Sequence, residues 1–167
     1  MIKRYLHQLT TGISFGLTSG VITALGMIVG LYSATSSRLA IFAGIIIMSI
    51  ADGLADAAGI HLSEEAEVER GKNKHSHKEV WLSTIFTFIS VSGFILTFAI
   101  PILIFPLKTA ILVAIGWGIL LLIFLNFYIA KIKHANPKRI ILEHLCLALF
   151  VIVISHVVGN LVTRWVK

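Results

Sequence analysis

Two aspartates stand where a membrane-crossing helix has little room for charge. The stretch 48–69 reads M-S-I-A-D-G-L-A-D-A-A-G-I-H-L-S-E-E-A-E-V-E, an apolar run that holds Asp52 and Asp56 and then meets four glutamates. Residues four apart lie one turn apart on a single helix face, so Met48, Asp52 and Asp56 form one stripe. Carboxylates within lipid are costly and almost always face a bundle interior or an aqueous path, which makes them functional candidates. Their oxygens suit Mn²⁺ and Fe²⁺, and a thioether adds preference for softer ions over Mg²⁺ or Ca²⁺. Burial favours the protonated form of a carboxyl and a bound cation favours the ionised form, so such a pair exchanges protons for metal. One helix cannot complete a coordination sphere. Ser19, Thr23 and Met27 of the preceding helix, or a symmetry mate, are expected to supply the rest. The plainer alternative is that the aspartates bond Ser or Thr on neighbouring helices and only lock the bundle.

Past the stripe, Glu64, Glu65 and Glu67 are expected to form a cation-collecting inner entrance, because clustered carboxylates raise the local cation concentration. A solvated helix extension paired with nearby lysines is the alternative. His75 and His77, in H-S-H, add weak metal-ligand signals. His156, deep in the last apolar run, reads as a hydrogen-bonded packing histidine in preference to a ligand.

The elements that must hold these residues are legible from composition. Of 167 residues, 57% are hydrophobic and 13% charged, with a mean hydropathy of +0.93. Soluble domains carry about 25% charged residues, so the chain reads as an all-α integral membrane protein with no soluble domain. Five stretches reach the ~20 apolar residues a bilayer requires, at roughly 11–34, 39–62, 80–105, 109–130 and 140–162. Ten of the fourteen Lys and Arg flank one side of these spans. That asymmetry predicts a cytoplasmic N-terminus and an outer or lumenal C-terminus. The +6 net charge is spent on this topology, and no nucleic-acid partner is expected. The first helix is expected to be retained, since it is long and lacks a convincing cleavage site. Cys146, the single cysteine, is expected to be a buried, inert thiol.

Gly12, Gly16 and Gly20, then Gly26 and Gly30, give the first helix GxxxG spacings that permit close backbone approach. That closeness is expected to bring Ser19, Thr23 or Met27 near the acidic stripe. Pro101 is expected to kink the outer end of the third span, and Pro106 to help make the turn that follows. The fourth span, apolar apart from Asn126, reads as a lipid-facing support.

Enzymatic chemistry is not expected. D-G-L-A-D-A-A-G is similar to the D-G-x-x-A-R opening of CDP-alcohol phosphotransferases, but position 56 is Asp in place of Arg, and no second acidic pair follows to build a two-metal site. No H-E-x-x-H or G-x-S-x-G pattern is present either.

A resemblance extends over nearly the whole chain. T-S-G-V-I-T-A-L-G-M-I-V-G-L in the first helix resembles the first helix of the vacuolar iron transporter family, a run of N-D-G-L followed by small and apolar residues. D-A-A-G-I-H-L-S resembles that family's S-M-A-x-G-E-Y-x-S segment, and S-H-V-V-G-N-L the glycine-containing end of its fifth helix. The resemblance implies export of Fe²⁺ or Mn²⁺ from the cytosol by a proton-coupled homodimer, with a pathway built from helices 1 and 2. The metal is then cargo, and no cofactor is implied. It also implies a multi-pass protein of the plasma membrane in a prokaryote, or of an organelle membrane in a eukaryote. This chain departs from the pattern at three positions: the family's helix-1 aspartate falls on Ser19, its helix-2 methionine on Asp56 and its helix-2 glutamate on Ile60. The family's acidic cytoplasmic domain between helices 2 and 3 is missing. Asp56 would replace the acid lost from helix 1 if Ser19 and Asp56 face each other. The competing expectation is a small structural or regulatory membrane subunit on the same scaffold.

Overall fold

A computed structural model describes residues 2–69, 76–132 and 134–166, with the side chains of residues 2–7 and 67–69 outside that description. Every regular element is helical: α1 (Ile2–Thr35), α2 (Arg38–Glu69), α3 (His77–Thr97), α4 (Ala99–Ile104), α5 (Leu107–Ile132) and α6 (Pro137–Trp165). Five spans are long and apolar enough to cross a membrane, α3 and α4 together making the third. Each expected span is present, most of them extended by several residues.

The helix ends follow from local chemistry. Ser37 Oγ accepts the Ala40 N–H at 3.3 Å at the start of α2. Ser76 and Glu79 make a capping box at the start of α3, each side chain serving the other's backbone N–H. Asn136 caps α6 through the Lys138 N–H at 3.1 Å, with Pro137 in the first turn, where its missing donor costs nothing. The third span breaks at Phe98, whose N–H takes the tighter bond to Ile95 O. Pro101, three residues on, has no N–H to offer the Thr97 carbonyl. Arg38, which entered the sequence reading only as a topological charge, donates to the Phe105 carbonyl at 2.8 Å and so closes the end of α4.

α1 is the hub, packed on α3, α6, α2 and α5. Its glycines set two of these contacts. A Cβ at Gly12 or Gly16 would stand 2.7 and 2.5 Å from the Phe86 and Ser90 Cβ atoms of α3. Gly26 and Gly30 face Val151 and Ser155 of α6. The GxxxG faces therefore seat α3 and α6, and α2 meets α1 on the strip between them. α2 is also held to α3, where Gly53 lies against Ser92 and Phe88, and the Ser92 hydroxyl donates to the Ser49 carbonyl at 2.6 Å. Removing that hydroxyl with Ser92→Ala is expected to cost about 1 kcal/mol, read as a lowered thermal midpoint in detergent without loss of helix content.

Two expectations need correction. Cys146 is exposed, not buried: α6 packs against α1 and α5, and Cys146 lies on an exposed side of it with Leu142 and Leu147. α5 is more than a lipid-facing support. One face, with Ala110, Ala114, Gly118, Leu122 and Asn126, is buried, and Gly118 takes the Leu25 side chain of α1.

Candidate functional site

α1 and α2 run antiparallel, so stripes of period four on each helix meet rung by rung. On α1 the stripe is Ser19, Thr23, Met27; on α2 it is Asp56, Asp52, Met48, all half-buried. In the first rung Ser19 faces the Asp56 carboxyl. In the second, Thr23 Oγ1 lies 2.9 Å from Asp52 Oδ2. In the third, Met27 and Met48 line one groove, and the Met27 sulfur fills the space left by the missing side chain of Gly44. Six of the nine residues that the sequence assigned to the ion and its pathway are thus brought together. Ser19 and Asp56 face each other.

The second rung has a hydrogen-bonding conflict. Thr23 has one hydroxyl proton and two close acceptors, the Ser19 carbonyl at 2.7 Å and Asp52 Oδ2 at 2.9 Å. An ionised Asp52 competes with the carbonyl for that proton. A protonated Asp52 donates to the Thr23 oxygen and leaves the Thr23 proton to the carbonyl, so both acceptors are served. The first rung has a different shortfall: Asp56 Oδ2 is buried without a hydrogen-bond partner in the protein. A buried acceptor without a partner carries a desolvation cost that a proton or a cation removes. In both rungs the protein alone leaves a carboxylate oxygen short of a donor.

Beside the rungs lies an open groove of about 550 Å³, with Thr23, Met27, Gly30, Met48, Ser155 and Gly159 among its lining. It reaches Thr23, the partner of Asp52, and neither aspartate is among its lining residues. Among the described residues, no three His, Cys, Asp or Glu side chains converge on a metal-sized site, so any ion held here would rely on hydroxyl and thioether donors as well as the aspartates.

The remaining candidates fall elsewhere. Glu64 and Glu65 continue α2 beyond the rungs, and Glu65 lies 3.7 Å from the His61 ring. The Glu67 side chain and His75 are outside the described residues, and His77 is exposed at the start of α3. His156 is at the far end of the bundle, its Nδ1 2.7 Å from Ser33 Oγ and its Nε2 3.1 Å from Asn160 Nδ2. It is a hydrogen-bonded link between α1 and α6, well away from the rungs. His61 went unread in the sequence because its partners, Thr84 and Trp81, come from another helix.

No family model matches the chain, and no solved structure matches it. A protein of Methanocaldococcus jannaschii, itself described as uncharacterized, is similar at 29% identity over 140 residues, covering 72% of this chain and 73% of its own.

Proposed function

We propose that this chain carries a divalent transition-metal ion, Fe²⁺ or Mn²⁺, out of the cytosol in exchange for protons, and that Asp52 and Asp56 hold the ion or the protons in turn. The observation that carries this reading is the Asp56 carboxyl, facing Ser19 inside a membrane-crossing hairpin with one oxygen buried and unpartnered. Met27 and Met48 give the pathway its softness, and Ser19 and Thr23 form its wall. Glu64, Glu65 and Glu67 lie at the end of α2 that the charge asymmetry places toward the cytosol. The Ser19–Asp56 rung also fits the resemblance to vacuolar iron transporters, because an acid moved from α1 to the facing position of α2 stays in the same rung. A homodimer is part of the proposal: α2 and α6, which flank the groove, are only 22% and 11% buried over their spans.

One observation favours the second reading, a structural or regulatory subunit. Asp52 meets the Thr23 hydroxyl at 2.9 Å and Asp56 faces Ser19, as a purely packed polar pair would. Reconstituted transport separates the two. Proteoliposomes offered Fe²⁺, Mn²⁺ and Zn²⁺ should take up at least one of them in a manner that depends on a pH gradient. Asp52→Asn/Asp56→Asn should fall to the rate of empty liposomes. Well-folded wild-type protein that moves none of the three ions would establish the subunit reading instead.

A further inference from the structure

Toward the end of α2, one turn beyond Ala57, His61 sits in a setting that fixes the orientation of its ring. Its Nδ1 is 2.9 Å from Thr84 Oγ1. The Thr84 hydroxyl proton is already committed, donated to the Val80 carbonyl at 2.8 Å. With that proton on Val80, the Thr84 oxygen accepts from Nδ1, and Nε2 is the ring nitrogen left for another partner. Nε2 lies 3.7 Å from Glu65 Oε2, a pair that a proton or a metal ion between them would join. The separation is close to the roughly 3.4 Å between two ligands each ~2.1 Å from a tetrahedral metal ion. Trp81 covers one side of the imidazole, its ring centroid 4.6 Å away and tilted by 59°, so ring orientation is set by two groups of α3. The His61 and Glu65 side chains keep 21% and 38% of their exposure, so an ion can reach them.

We propose that His61 Nε2 and the Glu65 carboxylate form a two-ligand docking site for a borderline divalent transition-metal ion, with Thr84 as the positioning residue that turns the Nε2 lone pair outward. Imidazole nitrogen selects ions of the Fe²⁺, Co²⁺, Ni²⁺ and Zn²⁺ class over Mg²⁺ and Ca²⁺. Two protein ligands leave the remaining positions to water, so the ion is held loosely and exchanges readily. The site shares Glu65 with the entrance of the transport reading, but it rests on the His61, Thr84 and Trp81 contacts, which that reading does not use. If both hold, the ion docks five residues, about 8 Å of helix rise, from Asp56.

The test uses the full chain in nanodiscs with Trp117→Phe and Trp165→Phe, which leaves Trp81 as the lone indole. Co²⁺ is added and Trp81 fluorescence is followed. Saturable quenching is expected, weakened about tenfold or more by His61→Ala and by Glu65→Gln. Thr84→Val keeps both ligands and should weaken binding by ~10–100-fold, as loss of a group that orients a histidine ligand does, with the circular dichroism unchanged. Asp52→Asn/Asp56→Asn should titrate like the parent, so failure of the transport reading leaves this result standing. Excess Mg²⁺ should not displace Co²⁺. Absence of saturable quenching, parent-like binding by Glu65→Gln, or displacement by Mg²⁺ would each overturn the site. A signal that answers to pH alone would overturn it too, assigning the pair to a proton. Should His61→Ala fail to fold, the exposed Glu65→Gln variant carries the test.

Discussion

Asp56→Ser is expected to lower the initial rate of pH-driven metal uptake by about 100-fold, and Ser19→Asp in the same chain to restore most of it. The first part follows from the loss of a carboxylate whose buried oxygen has no hydrogen-bond partner in the protein. Such an oxygen contributes a contact to a charged group inside the bundle, worth up to ~3 kcal/mol, and about 1.4 kcal/mol corresponds to a tenfold change in rate. The second part follows from the rung. Ser19 and Asp56 face each other across the α1–α2 interface, so exchanging their side chains keeps one carboxyl and one hydroxyl in the same rung, with the charge moved to the opposite helix. Ser19→Asp alone would put two acids in one rung and is expected to slow proton release. Uptake rates for the four chains in one proteoliposome series decide the matter. If the exchanged pair is as inactive as Asp56→Ser, the carboxylate is needed on α2 itself, and the idea that Asp56 replaces a helix-1 acid is lost.

Much of this arrangement was legible in the sequence, and its limits are physical. Period four on α1 and on α2 placed Ser19, Thr23 and Met27 on one stripe and Met48, Asp52 and Asp56 on another, since helical spacing alone decides which residues share a face. An antiparallel hairpin with a short turn then pairs the stripes in reverse order, and the rungs result. What spacing along one helix does not encode is which neighbour a face meets. The GxxxG faces of α1 turned to α3 and α6, and α2 took the strip between, because only glycine there admits the backbones of α3 and α6 so closely. Cys146 shows the same limit. Its apolar neighbours signal a span, and in a membrane an apolar surface needs no protein cover, so hydropathy does not separate a buried thiol from an exposed one. His61 lies at the extreme, since the two groups that orient its ring, Thr84 and Trp81, come from α3. Asn126, by contrast, was visible as the lone polar residue of its span, but its burial at 3% exposure followed from where α5 settles against α1.

Gly16→Leu is expected to destroy the fold outright. A Cβ at this position would stand 2.5 Å from the Ser90 Cβ and 2.7 Å from the Val91 nitrogen of α3. The nearest obstacles are a Cβ fixed to the chain and backbone itself, so no rotamer change relieves them, and the two helices must separate along the strip held by Gly12, Gly16 and Gly20. Overpacking a tight site typically costs 1–3 kcal/mol where side chains can yield. Here they cannot, and the loss is expected to exceed that range. Separation of α1 from α3 also breaks the rungs, because α2 leans on both: Ser92 of α3 holds the Ser49 carbonyl, and Gly53 rests on the same helix. The expected reading is therefore aggregation or absence of a monodisperse peak in detergent, in contrast to Gly116→Leu on α5, where a Cβ meets nothing within 4 Å and the protein should purify normally. Were Gly16→Leu to purify with a parent-like thermal midpoint, α1 and α3 would not be in backbone contact at this position. The close packing that sets the Ser19–Asp56 rung would then have to come from elsewhere.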